Sequence, residues 1–247
     1  MDINKIYNSR NTLLKIYDKY GYDTSNIPNL SIKELKIILN EYKPEDQNIE
    51  TFDVGFSFNF KLPSKIIEGH NLHIIYYNFN DMLKKHSKIN KNIVDKILKL
   101  YESKYIGEND SIVLVINDKI NDTVIKLNYT TKTKILIDYN IPETILNQMN
   151  SKNINMSKEY FRNITFLDID TLQFNVLDHE MVPEHLPIHD KNEIKEILNQ
   201  NNVTMNQLPI ISKNDPISKL IRLVPGDICK IKRINVSGET IYYRLCK

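Results

Sequence analysis

Apolar residues recur at helical spacing near the start of the chain. Ile6, Leu13, Leu14 and Tyr17 share one face and Gly21 offers a C-terminal stop, so the pattern predicts an amphipathic helix. A second helix is expected after Ser31-x-x-Glu34, because the serine hydroxyl can accept the amide three residues on while the glutamate reaches back to the cap amide. Leu35, Ile38 and Leu39 give this helix an apolar face, Pro44 closes it, and the two helices are expected to pack together. Phe52, Val54, Phe56, Phe58 and Phe60 then alternate with Asp53, Gly55, Ser57 and Asn59, the period of a half-buried strand. Leu72–Tyr77 reads as another strand, and 90–105 as a helix with Ile93, Val94, Ile97, Leu98 and Tyr101 on one face. The continuous apolar run Ile112–Ile116 suits a strand buried on both sides, so the N-terminal part predicts a mixed sheet with helices against it, an α/β arrangement.

From 128 to 171 the periodicity weakens. A strand is expected at Lys134–Asp138, a short helix after Pro142, a polar stretch at 147–155 and an interdomain linker at Ile164–Leu172. Beyond this the chain punctuates itself clearly. Phe174–Leu177 reads as a short strand, Asp190-x-x-Glu193 caps a helix with Ile194, Ile197 and Leu198 on its face, and Thr204-x-x-Gln207 caps a turn that Pro209 ends. Asp215-Pro216 has the favoured order of cap and first helical residue, since proline lacks an amide that would be orphaned there. Val224-Pro225-Gly226-Asp227 turns the chain into a hairpin with strands Ile228–Ile234 and Ile241–Leu245, joined through Ser237-Gly238-Glu239. Two domains follow, 1–172 and 173–247, the second a small α+β unit.

Composition narrows the class. Over 247 residues, 41% hydrophobic and 26% charged residues are the proportions of a soluble globular protein. No apolar run approaches the roughly 18 residues that span a bilayer, and the polar N-terminus lacks a signal-peptide core, so an intracellular location away from membranes is expected. Cys229 and Cys246 are too few for a disulfide framework and are expected to be reduced, small apolar residues. A net charge of +2, from 33 basic against 31 acidic residues, supplies no field for independent nucleic-acid binding. Heavy use of Lys, Asn and Ile, as in Asn199-Gln200-Asn201-Asn202, reads as codon bias rather than a functional tract.

Three groupings invite a chemical reading. His179 and His185 with Glu180 and Glu184 suggest a metal site, but Pro183 stands between them without a nearby cysteine, so structural hydrogen bonding is the expectation. Glu102-Ser103-Lys104 has the Glu-x-Lys form of restriction-type nucleases. Such a pair belongs on a strand with an acidic partner upstream to hold a divalent metal, whereas here the nearest acid, Asp95, falls on the same helix. Lys84-Lys85-His86-x-Lys88-x-x-Lys91 fits either a solvated helix face or a surface near phosphates. With 6 unclustered glycines and no nucleophile elbow, no catalytic, cofactor-binding or metal-binding residue is assigned, and no cofactor is expected.

The C-terminal motifs carry a family resemblance. Phe174-x-x-x-x-His179-x-x-Val182-Pro183-x-His185, then Gln207-Leu208-Pro209-x-Ile211-x-x-x-Asp215-Pro216, then Gly226-Asp227-x-x-Lys230-Ile231-x-Arg233 and finally Tyr243-Arg244 resemble the assembly domain of the shared subunit 5 of eukaryotic RNA polymerases. The archaeal counterpart of that subunit is similar to this domain alone, so the additional N-terminal domain resembles the eukaryotic or large-DNA-virus form. Tyr20-Gly21-Tyr22 and Ser111-Ile112-Val113-Leu114-Val115, followed by Ile120, look like that family's jaw domain. The chain departs from the family at 220–226 and 234–241, where contact surfaces are expected.

The resemblance implies an N-terminal mixed-sheet jaw-like domain with helices plus a small C-terminal α+β assembly domain, α+β or α/β overall. It implies a non-catalytic subunit of a multisubunit DNA-dependent RNA polymerase that docks on the largest subunit, contacts other subunits and lies near downstream duplex DNA. The docking residues it implies are His179, Val182, Pro183, His185, Gln207, Leu208, Pro209, Asp215, Pro216, Gly226, Lys230, Arg233, Tyr243 and Arg244. Weak, assembly-dependent DNA contact is expected from Lys84, Lys85, Lys88, Lys119 and Lys126. A viral chain is expected in the virion and host cytoplasm, a cellular one in the nucleus. The alternative is a nuclease, or a DNA-binding protein derived from a nuclease fold.

Overall fold

The structure is a computed structural model that describes residues 2–41, 54–79, 89, 91–235 and 238–247. Contacts group these residues into two compact units, Met1–Tyr139 with Arg162–Phe174, and Asn140–Phe161 with Asn175–Lys247. Both are mixed α and β, in keeping with the α+β expectation.

In the first unit, helix α1 spans Ile3–Lys19, opened by Asp2, whose carboxylate accepts the Asn4 amide at 3.0 Å. Gly21, at φ +86°, redirects the chain after it. Helix α2, Ile32–Glu41, begins with the expected reciprocal cap: the Glu34 amide donates to Ser31 Oγ at 3.3 Å and the Ser31 amide to Glu34 Oε2 at 2.7 Å. Leu35 is buried and α2 packs on α1; Pro44 lies outside the described residues.

Strands β1 (Phe60–Pro63), β2 (Asn71–Tyr77), β3 (Ser111–Ile116) and β4 (Ile164–Asp168) form one sheet in that order. β1 runs antiparallel to β2, whereas β2, β3 and β4 are parallel. Parallel neighbours require crossovers, and helices α3 (Asn92–Glu102) and α4 (Asp122–Leu136) lie in them. Their Ile93, Ile97, Leu100, Val124 and Leu127 pack with Ile112, Leu114, Ile116, Ile164 and Phe166 of the sheet. Every residue of β3 and β4 is buried, which explains why Ile112–Ile116 of β3 reads as a continuous apolar run.

The fold departs from the sequence pattern in several places. Within the segment expected as an alternating strand over 52–60, Val54–Phe58 is a 3-10 helix, residues 52 and 53 lying outside the described set. A Cβ on Gly55 would come within 2.8 Å of the Tyr76 carbonyl, and Asn59 accepts the Tyr76 amide at 2.8 Å in place of a ladder partner. The helix expected over 90–105 closes at Glu102, with Lys104 at φ +57°. The strand expected at Lys134–Asp138 is instead occupied to Leu136 by α4. Its threonines are accommodated because Thr130, Thr131 and Thr133 donate to carbonyls four residues back. The expected linker Ile164–Leu172 is strand β4 followed by a 3-10 turn, with Ile164, Phe166, Ile169 and Leu172 buried.

In the second unit, α5 (Glu143–Ser151) precedes β5 (Glu184–Ile188), α6 (Lys191–Gln200), β6 (Ile210–Ile211), α7 (Pro216–Leu220), β7 (Ile228–Asn235) and β8 (Gly238–Cys246). The strands are ordered β5-β7-β8-β6. Asp190 caps α6 by accepting the Asn192 and Glu193 amides at 2.8 and 2.9 Å, and Asp215 caps α7 by accepting the Ile217 amide at 2.8 Å. The hairpin strands run one residue further at β7 and start three earlier at β8 than the apolar pattern suggested, pairing out to Asn235↔Gly238. The strand expected at Phe174–Leu177 is absent: Val176–Asp178 is a 3-10 turn capped by Asn175, and Phe174 is exposed. Residues 140–161 join this unit through the Ile154↔Asp190 bridge, the Lys191 amide on the Asn153 carbonyl at 2.9 Å and Arg222 beneath the Tyr160 ring. No helix among the described residues is long and apolar enough to cross a membrane.

Candidate protein-interaction surface

The β7-β8 register sorts the motif residues of the second unit between two faces of one sheet. On the first face, β5 carries His185 opposite Ile231, and β7 and β8 carry Arg233 and Arg244. His185 donates from Nδ1 to the Pro183 carbonyl at 2.7 Å. Burial lowers its basicity most, Pro183 and Asp215 oppose this, and Arg233 and Arg244 add to it, so the imidazole is less basic than an ordinary histidine. The charges of Asp215, Arg233 and Arg244 thus reach His185, and Arg233 stacks over the Tyr242 ring at 5.3 Å.

On the opposite face, Lys230 pairs with Glu193 of α6 at 3.7 Å, and Tyr243 packs on the core of Ile188, Ile194, Ile197, Leu208, Ile228 and Leu245. Leu208 is thus a core residue. Gln207 completes the capping box, its Oε1 accepting the Thr204 amide at 2.8 Å, and the Pro209 carbonyl accepts the Leu245 amide at 2.8 Å. Gly226, at φ +98°, makes the turn before β7, and Pro216 opens α7. Much of the motif thus shapes the unit, and a smaller part remains to face a partner.

That part gathers where β7 outruns β5. A cleft of about 560 Å³ lies between Met181, Val182 and Pro183 on one wall and Lys232, Arg233 and Ile234 on the other. Met181 is 82% exposed and Ile234 88% exposed, and Ile241 and Tyr242 are also open to solvent. The sequence pattern marks neither Met181 nor Ile234, because exposure in a turn or at a strand end leaves no periodic signal. His179 is exposed and ends the preceding 3-10 turn, its carbonyl accepting the Val182 amide at 2.8 Å.

In the first unit the exposed lysines Lys119 and Lys126 lie before and within α4; Lys84, Lys85 and Lys88 are outside the described residues. Glu102 and Lys104 are exposed at the end of α3, off any strand. Among the described residues no three His, Cys, Asp or Glu side chains are grouped to hold a metal ion. One buried polar network does occur, at the start of β2 and β3. Asp110 accepts from His73 Nε2 at 2.8 Å, from the Asn71 amide at 2.8 Å and from the Gly107 amide at 3.2 Å. Burial pushes this carboxyl up, but the hydrogen bonds from His73 and Asn71 outweigh it and hold it below its ordinary value.

Comparison with known proteins locates the resemblance in the second unit. Residues 174–246 match the family model of the RNA polymerase Rpb5 C-terminal domain. The chain is 45% identical over 74 residues to DNA-directed RNA polymerase subunit Rpo5 of Methanosarcina barkeri, covering 30% of this chain and 94% of that protein. It is 41% identical over 73 residues to Rpo5 of Methanococcoides burtonii, covering 29% and 92%. The Archaeoglobus fulgidus Rpo5 is 41% identical over 75 residues, 30% of this chain and 97% of that protein.

Proposed function

Since this chain belongs to the RNA polymerase subunit 5 family and is a subunit of a DNA-directed RNA polymerase rather than an enzyme in its own right, we propose that its second unit docks on the largest polymerase subunit. The other polymerase subunits are its proposed partners. The observation that carries this reading is the cleft between Met181–Pro183 and Lys232–Ile234, where two large apolar side chains stand in solvent beside the motif residues Val182, Pro183 and Arg233. Burying such side chains against a partner is favourable by about 1.5–3 kcal/mol each, and Glu180, Glu184, Lys232 and Arg233 of the same cleft supply a polar rim.

The first unit is proposed to lie in the jaw beside downstream duplex, with Lys119 and Lys126 offering phosphate contacts without reading bases. The proposed location is intracellular, the virion and host cytoplasm for a viral source and the nucleus for a cellular one. The test replaces both exposed side chains, Met181→Asp with Ile234→Asp, and measures incorporation of the full chain into polymerase by co-purification. Incorporation should fall by about tenfold or more while thermal unfolding of the free chain is unchanged. Normal incorporation at wild-type abundance would exclude the cleft as the docking surface.

A further inference from the structure

The sheet of the second unit is closed unevenly. β6 pairs with β8 only at Ile210↔Leu245 and Ile211↔Cys246, and over Gly238–Arg244 no described strand lies on that side of β8. The ladder fixes which backbone groups are left facing outward. Cys246 exchanges hydrogen bonds on the β7 side, its amide donating to the Asp227 carbonyl at 2.8 Å and its carbonyl accepting the Gly226 amide at 3.1 Å. The Leu245 amide points the other way, to the Pro209 carbonyl at 2.8 Å. Because peptide groups alternate along a strand, those of Thr240, Tyr242 and Arg244 face β7, and those of Glu239, Ile241 and Tyr243 face the open side.

An unblocked row of amides and carbonyls is a template for another strand, and proteins commonly blunt such edges with proline. The opposite edge strand, β5, carries Pro187, whereas β8 contains no proline between Gly238 and Cys246. The side chains beside the open edge also have a direction. Thr240, Tyr242 and Arg244 share the face of Arg233; Arg244 donates one hydrogen bond to the Ile210 carbonyl at 3.1 Å and Arg233 stacks on Tyr242, but among the described residues neither guanidinium has a carboxylate within ion-pair distance. The lysines of the other face are engaged, Lys230 by Glu193 and Lys232 by Glu184. That other face presents Ile241, with Tyr243 beside it half-buried against the α6 core.

We infer that the outer edge of β8 accepts, as an added strand at Glu239–Tyr243, an extended segment of another polymerase subunit. The segment carries an acidic side chain on the Tyr242 and Arg244 face and apolar side chains on the Ile241 and Tyr243 face. Main-chain hydrogen bonds supply affinity and the alternating side chains supply selectivity. This inference rests on the reading of the chain as a docked polymerase subunit.

The test is amide hydrogen exchange, resolved to single residues, on the full chain free and within purified polymerase. The Glu239, Ile241 and Tyr243 amides should exchange quickly in the free chain and be protected by at least about tenfold in the complex, while those of Thr240, Tyr242 and Arg244 are slow in both. Ile241→Pro provides a second arm, since it removes an outward amide without breaking the β7-β8 ladder. It should weaken association by roughly tenfold, whereas Ile241→Val leaves it intact. A chain that enters the polymerase with these three amides still exchanging at their free rates overturns the inference alone. A chain that does not enter the polymerase overturns the docking reading as well. Protection that instead arises in the free chain on concentration, with a dimer mass, overturns the inference in favour of a second copy of this chain.

Discussion

Two buried carboxyl groups respond to pH in opposite directions, and each sits in a different unit. Asp227 receives the Val224 amide at 3.0 Å, yet burial dominates and raises its pKa from 3.8 to about 7, with Arg222 only partly opposing this. A raised value means that the folded state favours the neutral acid. The stability it lends is complete below 3.8, declines as pH rises toward about 7 and is then lost. Urea denaturation across that range should show a falling midpoint for the wild type and a flatter profile for Asp227→Asn. Asp110 behaves conversely, because its depressed value makes the charged form the stabilising one, lost as pH falls below the ordinary carboxylate range. Asp110→Ala strips His73, Asn71 and Gly107 of a shared acceptor, and a loss of about 3 kcal/mol in equilibrium unfolding is expected.

At the scale of elements, helix starts were the most legible feature of the chain. Ser31 with Glu34, Asp190, Thr204 with Gln207 and Asp215 all cap what they were expected to cap, because a cap is made by residues within three positions of one another. Asp215→Ala should cost about 1 kcal/mol by thermal unfolding, with a further loss of incorporation into polymerase, since the charge of the same carboxylate acts on the motif residue His185. The segment over 52–60 misled because strict alternation was read as a strand, although a Cβ on Gly55 would collide with the Tyr76 carbonyl and the Asn59 side chain takes the Tyr76 amide. Ile164–Leu172 misled for the opposite reason. A short apolar run lacks internal periodicity, and its burial follows from pairing with β3, some fifty residues earlier in sequence.

At the scale of the molecule, the contact grouping places Asn140–Phe161 with Asn175–Lys247, while β4 between them belongs to the first unit. A fragment of residues 173–247 keeps its caps, hairpin and α6 core but loses the Asn153, Ile154 and Tyr160 contacts. It should unfold cooperatively at a lower midpoint than the same unit in the full chain, measurable by circular dichroism. A net charge of +2 also limits free DNA binding. Duplex affinity of the isolated chain should be on the order of 10 µM or weaker at physiological salt, without sequence preference, and should fall steeply as salt rises.

The apolar periods, caps and turns specified both hairpin strands, the helix starts and the α+β class, since each is written in neighbouring residues. The ordered C-terminal blocks were enough to place the chain in its family, because their spacing reflects one compact unit read along one stretch of sequence. Folding alone decided what those residues do. Leu208 turned inward and Tyr243 packed half-buried on the core, whereas Ile234 was left in solvent where β7 outruns β5, and Met181 in the turn before β5. The Asp110 and His73 pair joins positions 37 residues apart, and the open side of β8 exists because β6 is only two residues long. Such features depend on which distant segments meet and where they stop meeting, and no local pattern records that.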